Sequence, residues 1–471
     1  MRAQASDPHA TPPYVLPREI LSQFDTSGPR YTSYPTAPEW TANFPREQAV
    51  ALIEANQRER AKVPLSLYVH IPFCHKLCWY CGCNMQVTRN PELVERYLEA
   101  LTKEIGRVAA HVDLRREVVQ IHWGGGTPTF LDPAQLERLF RALTAPFTVA
   151  RGAEISIEVH PPVTTFAQLE TLAALGFNRL SLGIQDFDPE VQKAVNRLQP
   201  YEQTRDLITE ARRLGFRSIN ADLMYGLPKQ TPERFARTLD LVDTLRPERL
   251  ALFNYAHVPW MKPHQKLIKA EELPSVNEKV SLLELAVNTL VARGYQYVGF
   301  DHFALPDSEL AVAQRERTLR RNFMGYTTCA DSDVYAFGVS SISDLNGAYL
   351  QNARTLPDYL ERMEHDGLPV QHGMALSADD QLRRDVINAL ACHGHLDTEA
   401  LGRAHGVVFD DYFADALPRL EPFLKHGIVE RTPGAIDVTP RGRMLLRNVC
   451  MVFDAYLGKP AGAARRYSRT L

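Results

Sequence analysis

Several broad classes are excluded by what this sequence lacks. Its seven cysteines are an odd number and four of them lie within positions 74–83, unlike the scattered, even set of a disulfide framework. No run of about 18 apolar residues is present, which excludes a membrane-spanning helix. Residues 1–17 lack the apolar stretch of a secretory signal peptide, so a cytoplasmic location is the default. They are also polar and proline-rich, and the first part is expected to be disordered. With 53 basic against 56 acidic side chains the net charge is −3, and no global basic field points to nucleic acid. No internal repeat is evident.

What remains is an ordinary soluble composition, 45% apolar and 23% charged. At 471 residues the chain is too long for one small core, which implies one large domain with appendages or two to three domains. Apolar, β-branched runs read as strands at 65–71, 118–123, 155–159, 179–184, 217–223, 249–254 and 296–300. Amphipathic helices fill most of the intervals. Asn90-Pro91, Asp132-Pro133, Asp188-Pro189 and Thr231-Pro232 each pair a capping residue with proline at the first helical position. Gly176 and Gly215 stand where helices should stop before the next strand. This alternation predicts an α/β fold, a parallel sheet with helices outside, either barrel-like and partly closed or open and doubly wound. In both cases active groups gather at the carboxyl ends of the strands. Segment 320–344 is polar and aromatic, and from about 377 the chain reads as mostly helical with a hairpin near 428–438. The expected divisions are an N-terminal extension and arm at 1–50, a barrel core at 51–305, a barrel-completing or connecting segment at 306–376 and a helical, winged-helix-like domain at 377–471.

The first strand runs into Cys74-His-Lys-Leu-Cys78-Trp-Tyr-Cys81-Gly-Cys83. Three thiolates spaced C-x3-C-x2-C on one short loop suit three corners of a 4Fe–4S cube, since iron in such clusters prefers this soft ligand. The fourth iron is then open to the amino and carboxylate groups of S-adenosylmethionine (SAM). Electron transfer into the sulfonium would yield a 5′-deoxyadenosyl radical, with the protein supplying placement and shielding. A structural zinc site would need two separated cysteine pairs, and a ferredoxin-type cluster a distant fourth cysteine followed by proline. The sequence has neither. Cys83, two residues beyond Cys81, would strain the loop as a fourth ligand and reads as a non-ligand. Cys329, Cys392 and Cys450 are isolated and read as small buried hydrophobes.

Other unusual residues fall at the following strand ends. Gly124-Gly125-Gly126-Thr127 removes side chains where a ligand can approach the backbone. Glu158 is a carboxylate amid apolar neighbours and needs a partner such as ribose hydroxyls or an ammonium group. Gln185 and Asp222 close the next two strands, and Arg197 follows a helix.

At these positions the chain resembles the bacterial oxygen-independent coproporphyrinogen III oxidases, a radical SAM family, over nearly its whole length. The resemblance is carried by Ser27-Gly-Pro-Arg-Tyr-Thr-Ser-Tyr-Pro-Thr-Ala37, by 68–84 with the extra Cys83, by 124–129, Glu158, Gln185, Arg197, 222–230, 254–259, 338–343 and 447–454. It implies an incomplete TIM-like (β/α)6 barrel with an N-terminal arm and a mostly helical C-terminal domain. It implies a 4Fe–4S cluster on Cys74, Cys78 and Cys81, and two SAM molecules. By position, Tyr68, Gly125, Glu158 and Ile342 match contacts of the cluster-bound SAM. Tyr80, Gly126, Thr127, Gln185, Arg197, Asp222 and Ala256 match contacts of the second. Tyr80 and Met85 depart from the Phe and Lys common in the family. The implied reaction is oxidative decarboxylation of two propionates of coproporphyrinogen III to vinyl groups, giving protoporphyrinogen IX, CO2, methionine and 5′-deoxyadenosine. A monomer is implied, served by a low-potential reductant such as flavodoxin or ferredoxin and by an unidentified electron acceptor. Arg30 is a candidate partner for a substrate carboxylate. Related haem-trafficking chaperones carry C-x3-C-x2-C followed by Phe rather than by the C-x-C extension, and lack the arm. Related radical methyltransferases or cyclopropanases would instead transfer carbon from the second SAM.

Overall fold

A computed structural model describes residues 14–329, 331–365, 367–457 and 467–471. The expected disorder in the first residues falls outside this range. Six strands follow in sequence order: β1 (Leu65–Ile71), β2 (Glu117–Gly125), β3 (Thr148–Val159), β4 (Arg179–Gln185), β5 (Ser218–Tyr225) and β6 (Arg249–Asn254). Each pairs in parallel with the next. Every side chain of β1 except Tyr68 is buried, as in a strand covered on both faces. The connecting helices are α1 (Pro91–Ala109), α2 (Pro133–Thr144), α3 (Phe166–Ala174), α4 (Pro189–Ala194), α5 (Tyr201–Arg213) and α6 (Pro232–Leu245). Asn90, Asp132, Asp188 and Thr231 all cap as expected, each side chain accepting from amides of the first turn. Gly176 and Gly215 end α3 and α5 in the left-handed region, with φ of +94° and +92°.

The sheet departs from expectation at the seventh strand. Residues 296–300 do form β7 (Gln296–Gly299), but it folds straight back into β8 (His302–Ala304), which lies antiparallel beside β6. So tight a turn, with Phe300 at φ +45°, leaves no length for a parallel crossover. The seventh parallel strand is β11 (Asp333–Phe337), on the far side of β1 and within the segment expected to complete the barrel or connect to the next domain. Before it comes the hairpin β9 (Arg320–Asn322) and β10 (Gly325–Thr327). After it β12 (Ile342–Asp344), β13 (Ala348–Asn352) and β14 (Val370–Ala375) continue antiparallel, with Thr41–Ala42 at the edge. The hydrogen-bonded order has two ends, so the α/β sheet is an incomplete barrel.

The N-terminal arm lies along α7 (Val276–Ala292): the Tyr14 amide donates to Asn288 at 2.8 Å and Arg18 pairs with Glu284 at 2.6 Å. The C-terminal region is led by α8 (Ala378–His393) and carries a small sheet of β15 (His395–Asp397), β16 (Val429–Thr432) and β17 (Ala435–Val438). Cys392 and Cys450 are buried and Cys329 is half-buried. Among the described residues no helix is long and apolar enough to cross a membrane.

Candidate active site

The cysteine loop leaves the carboxyl end of β1 and is pinned through its backbone. The Trp79 amide donates to the Val195 carbonyl at 3.0 Å, and Asn196 donates to the Leu77 carbonyl at 2.8 Å. From the other side, Lys262, His264 and Gln265 donate to the carbonyls of Cys83, Cys81 and Tyr80 at 3.0, 2.8 and 3.1 Å. None of these anchors stood out in the sequence, because a side chain bonding to a backbone oxygen leaves no motif. Cys78 is buried, Cys74 and Cys81 are half-buried and Cys83 is exposed.

The donor set fits an iron–sulfur cluster. Burial, with Cys81 and Cys78 nearby, pushes the Cys74 thiol up to about 11, against the opposing pull of Thr127 and Arg197. Burial makes a bare thiolate costly on this loop, so its cysteines suit thiolates neutralised by cationic iron. Among the described residues no group of three Cys, His, Asp or Glu side chains is placed to hold a single metal ion, so the loop's thiols suit the separate irons of a cluster rather than one zinc. Thr127 Oγ1 lies 3.4 Å from Cys74 Sγ, and Arg197 Nη1 donates to Cys78 Sγ at 3.6 Å.

Each glycine of the 124–126 run has its own reason. A Cβ on Gly124 would meet the Glu158 carboxylate at 2.9 Å. Gly125, at φ +120°, has the His70 ring where its Cβ would be. A Cβ on Gly126 would meet the Pro72 carbonyl oxygen at 2.7 Å, so this residue lets the cysteine loop close onto β2. The Gly126 and Thr127 amides donate to the carbonyls of Ile71 and Phe73 at 2.8 and 2.9 Å. Glu158 accepts from the Gly125 amide at 3.1 Å and lies 3.5 Å from His122 Nε2. Burial alone would raise its pKa, but His122, the Gly125 amide and His70 outweigh it and hold the carboxyl below its usual range. His70, also missed in the sequence, donates from Nε2 to the Asn84 carbonyl at 2.9 Å and accepts at Nδ1 from Tyr68 Oη at 3.1 Å.

Two cavities meet here, with Cys83 and Glu158 lining both. The first, about 500 Å3, is lined by Tyr68, Gly125, Glu158 and Ile342. The turn before Ile342 is tied down by Glu104, which accepts from the Gly338 amide at 2.8 Å and from Asn352 at 2.6 Å. The second, about 700 Å3, is lined by Tyr80, Gln185, Asp222, Ala256 and Arg30. Gln185 sits at φ +69°, and its Oε1 is buried without a hydrogen-bond partner. Strain and an unspent acceptor at a strand end are features that suit a ligand position. Asp222 accepts from Asn220 at 2.7 Å, and burial with Glu158 nearby pushes it up to about 7. Arg30 donates to the Asn254 carbonyl at 2.7 Å. Gly126, Thr127 and Arg197 line neither cavity and stand behind the cysteine loop instead.

A thiol loop above a partial parallel barrel defines a class, and residues 68–242 match the model of the radical SAM superfamily, to which the chain belongs. Residues 376–445 match the HemN C-terminal domain. The chain is 48% identical over 452 residues to the oxygen-independent coproporphyrinogen III oxidase of Salmonella typhimurium, covering 96% of this chain and 98% of that protein. It is 41% identical over 454 residues to the enzyme of the same name from Helicobacter pylori, covering 96% and 99%. A solved structure of coproporphyrinogen III oxidase (HemN) from Escherichia coli, described as a radical SAM enzyme, matches with a TM-score of 0.88 at 48% identity, covering 91% of this chain and 98% of that one. The chain is therefore a member of the oxygen-independent coproporphyrinogen III oxidase family, radical SAM oxidoreductases for which a 4Fe–4S cluster and SAM are implied.

Proposed function

We propose that this chain carries out the oxygen-independent oxidative decarboxylation of two propionates of coproporphyrinogen III, forming protoporphyrinogen IX with release of CO2. The observation that best supports this reading is the meeting of two SAM-sized cavities at Cys83 and Glu158, beside the three-thiol loop. Cys74, Cys78 and Cys81 would hold the cluster. When bound, the cluster supplies the electron that cleaves SAM to methionine and the adenosyl radical. The chain's own part is to bind and orient. Tyr68, Gly125, Glu158 and Ile342 hold the cluster-bound SAM, Glu158 offering its carboxylate to the cationic ligand. Tyr80, Gln185, Asp222 and Ala256 hold the second, with Gly126, Thr127 and Arg197 supporting it from the cysteine loop. Two SAM molecules match the need to decarboxylate two arms. The protein is read as a cytoplasmic monomer in four units, 1–50, 51–305, 306–376 and 377–471, dependent on a low-potential reductant and a separate electron acceptor.

The test is anaerobic incubation with coproporphyrinogen III, SAM and a reductant, followed by porphyrin and nucleoside analysis. Protoporphyrinogen IX and 5′-deoxyadenosine are expected. Product containing labelled SAM methyl carbon would instead make the chain a carbon-transfer enzyme. Cys74→Ser, Cys78→Ser and Cys81→Ser should each abolish the broad visible absorbance of the reconstituted protein. A full cluster in any of them would refute the ligand assignment. Asp222→Ala should weaken SAM binding while leaving iron content unchanged.

A further inference from the structure

The β9–β10 hairpin plays no part in the reading above, yet its tip residues Phe323 and Met324 line the first cavity. Below the tip, Arg321 faces Tyr326 in the register, its guanidinium 4.7 Å from the Phe300 ring centre and 4.9 Å from that of Tyr326. Arg321 is 8% exposed, and its Nε and Nη1 are buried with no hydrogen-bond partner among the described residues. Among the described residues no carboxylate pairs with it. A buried guanidinium held only by two aromatic faces is costly unless something else supplies the negative charge.

It has company. Arg249 Nε and Nη2 and His302 Nδ1 are also buried without hydrogen-bond partners. The carboxylate paired with Arg249 is the largely exposed Glu309, 3.6 Å from Nη2. Arg179 close by also has a buried Nε without a hydrogen bond, but it has two carboxylates for its charge, Glu154 2.9 Å from Nε and Glu309 beside Nη2. Burial, Arg321 and Arg249 hold His302 down to about 3, so its ring is neutral and one nitrogen is a donor. Arg321, Arg249 and His302 line a lumen of about 290 Å3 that shares Glu158, Phe323 and Met324 with the first cavity. Pockets for whole small molecules begin near that size, roughly 300 Å3, so the lumen suits a side arm rather than a macrocycle. Arg321 also borders a polar cavity of about 170 Å3, where Asp331 and Asp344 leave its donors unspent.

We propose that Arg321, with Arg249 and His302, binds the carboxylate of a propionate arm of the tetrapyrrole, the arm entering the lumen from the first cavity. This rests on coproporphyrinogen III being the substrate. A fork of guanidinium donors suits a carboxylate, and the carboxylate supplies the charge that the aromatic faces do not.

The test uses the full, cluster-loaded chain under anaerobic conditions, comparing wild type with Arg321→Met. The KM for coproporphyrinogen III should rise about tenfold or more while kcat changes far less, because a charged partner of a buried carboxylate has gone. Cluster absorbance and SAM affinity should be unchanged, and the melting temperature without substrate should be equal or higher, since an unpaired buried charge has been removed. An unchanged KM, with wild type converting substrate, overturns the Arg321 assignment alone. Failure of wild type to convert coproporphyrinogen III overturns the substrate reading as well. If Arg321→Met does not fold, Arg321→Lys decides: it keeps charge but loses the fork, and its KM should rise several-fold, an unchanged value overturning the proposal. Inorganic phosphate protecting wild type from heat as well as coproporphyrin III does would make this a simple anion site and overturn the arm assignment.

Discussion

At Asp222 two carboxylates share a small volume, and the proton balance follows. Burial and Glu158 raise it to about 7, against a usual value of 3.8. Between those values the folded chain holds more protons than the unfolded one, so stability falls as pH rises through that window and levels off above about 7. Asp222→Asn removes this loss. Without SAM, its melting temperature relative to wild type should climb from pH 4 to about 7 and then stay constant. A difference independent of pH would refute the shared-charge account. At this scale the sequence was informative where chemistry needs a side chain type at a spacing: the thiols, Glu158, Gln185 and Asp222. It was silent on His70, Lys262, His264 and Gln265, which act by bonding to backbone carbonyls that any residue could present. Gly126 and Thr127 were legible as a pair, but only packing showed them against the cysteine loop rather than in a cavity.

Among the elements, β11 decides how the cysteine loop is carried, because it flanks β1 on the side away from β2. Its first residue, Asp333, is fully buried and accepts from fully buried Arg116 and, at 2.8 Å, from Arg60. Asp333→Ala leaves the Arg116 charge uncompensated and should cost about 3–5 kcal/mol in urea unfolding. A loss under about 1 kcal/mol would mean that the pair does not anchor the strand. Cluster retention should fall with it, since β1 then loses a neighbour. Six strands and four helix starts were readable from periodicity and capping chemistry. β11 was not, because five residues opening on a carboxylate look like loop until Arg116, far away in sequence, supplies the charge that lets Asp333 enter the sheet. The reversal at β7 was hidden for a related reason: apolar alternation marks a strand but carries no direction.

On the scale of the whole molecule, the N-terminal arm at residues 25–29 meets the C-terminal residues 447 and 469–470. The Thr470 amide donates to the Thr26 carbonyl at 2.7 Å, Arg469 pairs with Asp25, and Arg447 Nε donates to the Pro29 carbonyl at 2.9 Å. Gly28, Arg30, Arg447 and Ser468 form part of the wall of the second cavity. Arg447→Ala should therefore loosen the arm. Trypsin should cut near Arg30 faster than in wild type, and porphyrin turnover should fall about tenfold with iron content unchanged, as a misplaced wall misplaces its ligand. Equal cleavage rates would show that the arm is held elsewhere.

The amino-acid sequence alone determined the chemistry on offer: a three-thiol loop after a buried strand, a glycine run at the next strand end, and polar groups at successive strand ends. These are local, since a ligand type or a cap is a property of residue and spacing. Tertiary structure alone decided which groups share a cavity, where β11, the N-terminal arm and the C-terminal segment close around them, and which buried donors are left without an acceptor. Those depend on partners distant along the chain, and burial sets the strength and cost of every charge it encloses.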